Sequence, residues 1–392
     1  MSELGNISRV VVVVGTRPET IKMGPVVLAL DARPERFERI LLSTGQHREM
    51  LDQALEDFGL KPDSDLGLMT AGQSLAGLTA AVVTAVARAI DELRPDVVLV
   101  QGDTTTAMVA ALAAFYAGVP VGHVEAGLRT GNRRQPFPEE INRRLISSLA
   151  SWHYAPTQTA VDALIREGID PASVMLTGNT VVDALLRISA GLGDISPATD
   201  RRLLLVTAHR RENLGEPIQE LCLALLDIVR RNPDVEIVYP VHMNPRVRET
   251  VFPLLADQPR IQLTDPVSYR TLVTLMKRCY LVLTDSGGIQ EEAPVFGKPV
   301  LVMRDVTERP EAVTAGTVKI VGTDRALIVA ETERLLHDAD AYAAMARAVS
   351  PYGDGRAAER IIEHLSERAP RSAPFGTQLL PSEVGRDSLS RK

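Results

Sequence analysis

The sequence predicts an α/β protein built from two doubly wound, Rossmann-like parallel-sheet domains, and three observations carry that reading. Its 392 residues are more than one ordinary core organises. Short β-branched apolar runs alternate with longer amphipathic stretches, the pattern of strands buried on both faces by helices. Polar motifs recur where those apolar runs end, which is where open α/β sheets hold ligands.

In chain order, the first half has strand signals at residues 10–14, 40–44, 97–101 and 119–124. The second half has them at 203–207, 236–241, 261–263, 281–284, 299–302 and 318–321. Between the halves, "SAGLGDISPATDR" at 189–201 loses periodicity and carries Gly and Pro punctuation, and a fresh strand follows it. The hinge is therefore expected near 176–183, with an N-terminal domain over 1–176 and a C-terminal domain over 177–351. Residues 371–392 have no periodicity and are expected to form a mobile tail. No internal repeat or low-complexity block interrupts the pattern.

Composition narrows the function classes. A 45% hydrophobic and 24% charged chain reads as globular, and a net charge of −7 disfavours nucleic acid and anionic membrane as partners. No apolar run approaches a membrane span, and "VVVVG" at 11–15 lacks a signal-peptide cleavage pattern. Cys222 and Cys279 have neither metal nor redox spacing. A soluble cytoplasmic protein is expected.

The motifs at the strand ends each admit a bland reading and a chemical one. "GTRPETIKMGP" sets Pro18 in the first turn of a helix with Arg17 and Lys22 nearby, which suits an anion or merely an ordinary βα turn. "QGDTTTAM" ends a strand at Asp103, a candidate for proton chemistry or a helix cap. "HVEAGLRTGN" ends another at Glu125, whose flanking glycines packing explains poorly. "PFPEEINRR" opens a helix with Glu139 and Glu140, both well placed for the helix dipole. "TAHRREN" sets His209 beside Arg210 and Arg211, and "VYPVHMNP" and "STGQHREM" repeat a strand-end histidine at His242 and His47. His153, His337 and His364 read as ordinary helix or surface residues. In "TDSGGIQEEA", Ser286, Gly287 and Gly288 allow amides to approach a phosphate, and Glu291 and Glu292 follow. With Arg304 and Arg309 of "VMRDVTERPEAV", this points to a nucleotide diphosphate in the second domain.

Taken in order, "GTRPETIKMGP", "TGQHREML", "QGDTTTAM", "HVEAGLRTGN", "PFPEEINRR", "TAHRREN", "VYPVHMNP", "TDSGGIQEE" and "TERPEAVTAGT" resemble the non-hydrolysing UDP-N-acetylglucosamine 2-epimerases, over residues 9 to 360. That resemblance implies a glycosyltransferase-B-type arrangement with the active site in the interdomain cleft, and a C-terminal helix within 352–370 that packs back on the first domain. It implies catalytic roles for Asp103, Glu125, Glu139 and His209, and UDP contacts for Arg17, Lys22, Ser286, Gly287, Gly288, Glu292 and Arg309. Glu140 stays with the capping role, and the arginines from 129 to 144 are secondary. Gln46, Arg210 and His242 match an activator site for a second UDP-N-acetylglucosamine, although Gly72 replaces an arginine used by some members. Val267 and Leu272 stand where the family has Gln and Phe.

The implied partners are a UDP-sugar and a second copy of the chain, with no cofactor and no metal. Three other activities share this machinery or fold: epimerisation of a modified sugar such as UDP-2,3-diacetamido-glucuronic acid, hydrolysing epimerisation, and glycosyl transfer to an acceptor. Inverting C2 of an N-acetylhexosamine removes a proton that no adjacent carbonyl acidifies. The implied route therefore expels UDP, passes through 2-acetamidoglucal and adds UDP back, with carboxylates near C2 and cations near the diphosphate.

Overall fold

The computed structural model describes residues 7–45, 48–68, 73–193 and 199–370. The expected tail at 371–392, part of the 189–201 loop, and the positions Gln46, His47 and Gly72 lie outside these residues.

Two parallel sheets are present. The first contains β1 (Ser8–Val14), β2 (Phe37–Ser43), β3 (Ser64–Asp65), β4 (Val97–Gln101), β5 (Val121–Val124), β6 (Trp152–Ala155) and β7 (Val174–Leu176). Their order is β3-β2-β1-β4-β5-β6-β7. The second contains β8 (Arg202–Thr207), β9 (Val235–Pro240), β10 (Ile261–Thr264), β11 (Leu281–Thr284), β12 (Val300–Val302) and β13 (Val318–Ile320), ordered β10-β9-β8-β11-β12-β13. Each sheet winds outward from its first strand, then returns to wind the other way. The turning points are β1/β4 and β8/β11, and the loops beyond them open a crevice.

The valines of β1 show why the strands are uniformly apolar. Val10, Val12 and Val14 join the cluster on one face of the sheet, and Val11 and Val13 join the cluster on the other. All five are buried, so each contributes roughly 1.5–3 kcal/mol of transfer free energy. Strands β3, β6 and β7 carry no such run. With two to four residues each, they are strands because a buried neighbour offers its edge.

The chain crosses from the first sheet to the second just after β7 and returns near residue 352. At the crossing Asn179 N–H donates to Tyr352 O at 2.8 Å. Gly178 and Gly353 meet there with φ of +87° and +105°, and a Cβ on Gly353 would come 3.1 Å from Gly178 Cα. The final helix, Ala357–Arg368, begins with its Ala357 and Ala358 amides donating to Asp183. Its Ile361, Ile362 and Leu365 pack in one cluster with Met23, Val26 and Leu30 of the helix Arg17–Asp31. No described helix is long and apolar enough to cross a membrane.

Beyond β5 the chain turns sharply at Gly127, whose φ is +92° and whose added Cβ would lie 2.3 Å from the Ala160 carbonyl oxygen. Gly127→Ala is therefore expected to destabilise the fold by roughly 2–4 kcal/mol, combining backbone strain and overpacking. An unchanged denaturant midpoint would show that this close approach is not needed.

Candidate active site

The first wall of the crevice is built by the loops after β1, β4 and β5. Thr16 caps the helix Arg17–Asp31 in a reciprocal box with Glu19. Glu19 accepts from the Gly15 and Thr16 amides at 2.9 and 2.7 Å and from the Thr104 hydroxyl at 2.5 Å, so one buried carboxylate ties the β1 loop to the β4 loop. Arg17 reaches across to the Val267 carbonyl at 3.5 Å, the first of the two departures from the family pattern. Leu272, the second departure, lines the cavity.

Asp103 is free of the capping role, because Thr104 caps the following helix. Its Oδ2 instead accepts from Arg143 Nε at 2.9 Å, with Arg143 Nη2 at 2.7 Å. Glu125 sits in the left-handed region at φ +63°, a strain of about 1–3 kcal/mol for a residue with a side chain. It bonds the Lys22 ammonium, the Gln101 amide and, at 3.1 Å, Asn179 Nδ2. Burial alone would raise its pKa; the adjacent Lys22, aided by Arg309 and Asn179, outweighs burial and holds the carboxyl below its ordinary range. Glu139 opens the helix Glu139–Leu149, and its Oε2 is buried without a hydrogen-bond partner among the described residues.

Glu140 does something the capping reading did not anticipate. Fully buried, it accepts from the Thr130 and Gly131 amides at 3.0 and 3.2 Å and pairs with Arg143 and Arg144. It anchors the preceding loop and the arginine that holds Asp103. Arg143, expected to be secondary, is thus part of the wall. Its partners bring it there, and nothing in the local "INRR" pattern singles it out.

The loops after β8, β11 and β12 form the second wall. His209 and Arg210 follow β8, and the His209 ring stacks on His242 with centroids 5.2 Å apart. Burial lowers the His209 pKa; Asp285 opposes that shift, while His242, Arg210 and Arg17 add to it. After β11, Arg309 lies against Gly287 so closely that a Cβ there would fall 2.4 Å from Arg309 Nη1. Glu292 accepts from the Tyr269 hydroxyl at 2.8 Å, and burial pushes its pKa up to about 7. Arg304 takes no place here: Glu212 and Glu308 hold it in the neighbouring cavity.

Between the walls is a cavity of about 540 Å³, within the usual range of ligand sites. Asp103, Glu125, Glu139, His209, Arg17, Lys22, Ser286, Gly287, Gly288, Glu292 and Arg309 all line it. Arg210 lines it too, whereas His242 stands behind His209. Below the cavity the walls join through charge: Glu291 pairs with Arg309 at 2.5 Å and accepts from Asn179 Nδ2 at 2.9 Å. Asn179 had no polar motif to mark it, and Glu291 was overshadowed by its neighbour Glu292. Among the described residues, no group of three or more His, Cys, Asp or Glu side chains could hold a metal ion.

The family model for UDP-N-acetylglucosamine 2-epimerase matches residues 28–366. The UDP-N-acetylglucosamine 2-epimerase of Escherichia coli K12 is 51% identical over 371 residues, covering 91% of this chain and 98% of that protein. The chain belongs to the UDP-N-acetylglucosamine 2-epimerase family. A Campylobacter jejuni member is 46% identical over 374 residues, covering 92% of this chain and 97% of its own. The structure of the Neisseria meningitidis enzyme bound to UDP-GlcNAc matches with a TM-score of 0.86 at 44% identity, covering 92% of this chain and all, 100%, of that one. A Methanocaldococcus jannaschii enzyme in complex with UDP-GlcNAc and UDP matches at 0.78 and 31%, covering 92% and 99%.

Two histidines outside the expected set support the first wall from within its sheet. His153 is buried in β6, not at the surface, and bonds the Ser147 carbonyl at 2.9 Å. His123 is fully buried in β5 and donates from Nε2 to the Gly102 carbonyl at 2.7 Å, beside Asp103. Burial lowers the His123 pKa from 6.5 to about 3. The unfolded chain therefore takes up this proton first, and stability falls as pH drops from about 6.5 towards 3. His123→Gln, which keeps a donor for Gly102, is expected to flatten that fall in unfolding measurements made across this range. An equally steep pH dependence in the variant would remove His123 as its source.

Proposed function

We propose that this chain interconverts UDP-N-acetylglucosamine and UDP-N-acetylmannosamine by a non-hydrolysing inversion at C2. The observation that carries the reading is one cavity with Asp103, Glu125 and Glu139 on one wall, and His209, the Ser286–Gly288 turn and Arg309 on the other. Relatives solved with UDP-GlcNAc and with UDP support the substrate class.

The proposed sequence of events follows from this placement. The small residues of the turn let the diphosphate approach the backbone, with Arg309 alongside and Arg17 across the crevice. Glu292 is suited to accept from ribose hydroxyls. As the C1–O bond breaks, its electron pair goes to the diphosphate, and His209 with the arginines stabilises the developing charge. The oxocarbenium character at C1 acidifies the C2 proton, which a carboxylate accepts to give 2-acetamidoglucal. Glu125, kept ionised by Lys22, is suited to be such a base. Glu139, with an unpartnered oxygen, and Asp103, steadied by Arg143, complete the proton-transfer set. UDP then adds back at C1 while C2 receives a proton on the opposite face, so no atom is lost and no oxidant is needed. The crevice must stay closed while the glucal is present.

The proposal takes residues 1–176 and 177–351 as the two domains, with 352–370 returning to the first. It extends to a cytoplasmic homodimer and to an activator site that uses Arg210 and His242.

Proton NMR of UDP-N-acetylglucosamine with the protein in deuterated water is expected to show UDP-N-acetylmannosamine carrying deuterium at C2, with no acceptor present. Absence of turnover, with or without added activator, would overturn the proposal. Release of free N-acetylmannosamine would favour the hydrolysing reaction. Asp103→Asn should lose roughly a hundredfold or more in turnover while still binding UDP in calorimetry. Full activity in that variant removes Asp103 from the mechanism.

A further inference from the structure

We infer that Asp285 is a positioning residue that sets the tautomer of His209 and stabilises its imidazolium as the diphosphate departs; the inference rests on the role proposed above for His209. Sheet register puts Asp285 in place. β8 and β11 are neighbours, with Thr207 opposite Thr284 and their hydroxyls 2.6 Å apart. Asp285 is the residue that follows β11 and donates its own N–H to the Thr207 carbonyl at 3.1 Å. Its side chain therefore lies beneath the loop that follows β8.

That side chain is fully buried, and its two oxygens do different things. Oδ2 accepts from the His209 amide at 2.8 Å, the Arg210 amide at 2.8 Å and Asn213 Nδ2 at 3.0 Å, which is enough to hold the loop. Oδ1 is buried with no hydrogen-bond partner among the described residues and stands 3.6 Å from His209 Nδ1. A buried carboxylate oxygen left unpaired is costly. A proton on Nδ1 relieves that cost with a slight approach of the ring, and a protonated ring makes the bond charge-assisted. Fixing the loop needs only one oxygen, which an asparagine would supply. The second oxygen is explained by the imidazole.

The other charged groups around His209 make this partner matter. His242 is stacked on the ring, and Arg210 and Arg17 add positive charge nearby, which opposes a cationic His209 ring. The His242 Nδ1 accepts from the Asn244 amide at 3.0 Å, so its neutral ring carries its proton on Nε2. Asp285 is the anionic group that counters these influences. With Nδ1–H directed at Asp285, Nε2 is left to face the cavity. As the C1–O electron pair moves to the diphosphate, the imidazolium Nε2–H donates to the leaving oxygen, and re-addition returns the proton.

The test is Asp285→Asn in the full-length protein. The amide oxygen can keep the His209 and Arg210 amides, while its NH2 faces Nδ1 and reverses the tautomer. We expect kcat near neutral pH to fall roughly tenfold to a hundredfold with KM little changed and UDP binding retained. The alkaline limb of the kcat/KM profile should also move to lower pH, because the imidazolium has lost its anion. A uniform loss with an unshifted profile, or no loss, overturns the proposal. His209→Gln separates it from the underlying assignment. If that variant keeps parental activity, the role of His209 fails; if it is inactive while Asp285→Asn keeps the parental profile, only the role of Asp285 fails. Nitrogen-15 spectra of the parent protein, with the His209 signals identified by difference from His209→Gln, should show the neutral ring protonated on Nδ1. A proton on Nε2 overturns the proposal even if Asp285→Asn does not fold.

Discussion

The buried chain of charges Lys22–Glu125–Asn179–Glu291–Arg309 is the interaction on which the rest of this structure depends. Lys22 and Glu125 stand on the helix and loop beyond the first sheet, Glu291 and Arg309 on those beyond the second, and Asn179 at the crossing between them. Each ion would cost several kcal/mol to bury alone. Each carboxylate is paired with a cation, and the Asn179 amide between them donates to both carboxylates. The orientation of that amide is not free: its Oδ1 accepts from the Val181 amide as a helix cap, so its NH2 must face the carboxylates. The network therefore joins the two walls at one relative position and keeps Glu125 ionised in the same stroke.

This arrangement explains why the functional groups are held so tightly from below and left so open above. Glu19 links two loops of the first wall, Glu140 links a loop to Arg143, and Asp285 links two loops of the second. Each is a buried carboxylate that accepts backbone amides and brings a second loop into register. The groups assigned to chemistry stand one layer further out. Glu139 retains an unpartnered oxygen, and the Ser286–Gly288 turn carries no side chain large enough to exclude a ligand. Glu19 and Glu140 are satisfied within the chain, whereas Glu139 keeps an oxygen free to meet a ligand.

Much of the fold was legible because parallel sheets covered on both faces need continuous apolar strands, and each such run in this sequence became one. The valine run of β1 is the clearest case. β6, "WHYA", and β7, "VML", were not legible, since they are too short for any periodicity and extend through the edge of β5. At the site, residues in recognisable motifs at strand ends did converge on one cavity. Asn179, His123 and Asp285 are not marked by the sequence, and Glu291 and Arg143 are given no structural part by it, because an amide, a basic helix residue or a buried acid has no local signature. Their partners lie far away along the chain: 112 residues separate Asn179 from Glu291, and 76 separate His209 from Asp285.

The sequence by itself determined the class of fold, the strand ends that line the cavity and, through its ordered motifs, the family. Local patterning suffices for those, because strand burial and loop composition are properties of short segments. Only the tertiary structure showed which carboxylates are buried supports and which line the cavity, and it gave Asp285, Glu291 and Glu140 partners that no motif marks. Burial and charge pairing are properties of neighbours in space. A carboxylate's role here is set by the amides, cations and aromatic rings that folding brings around it.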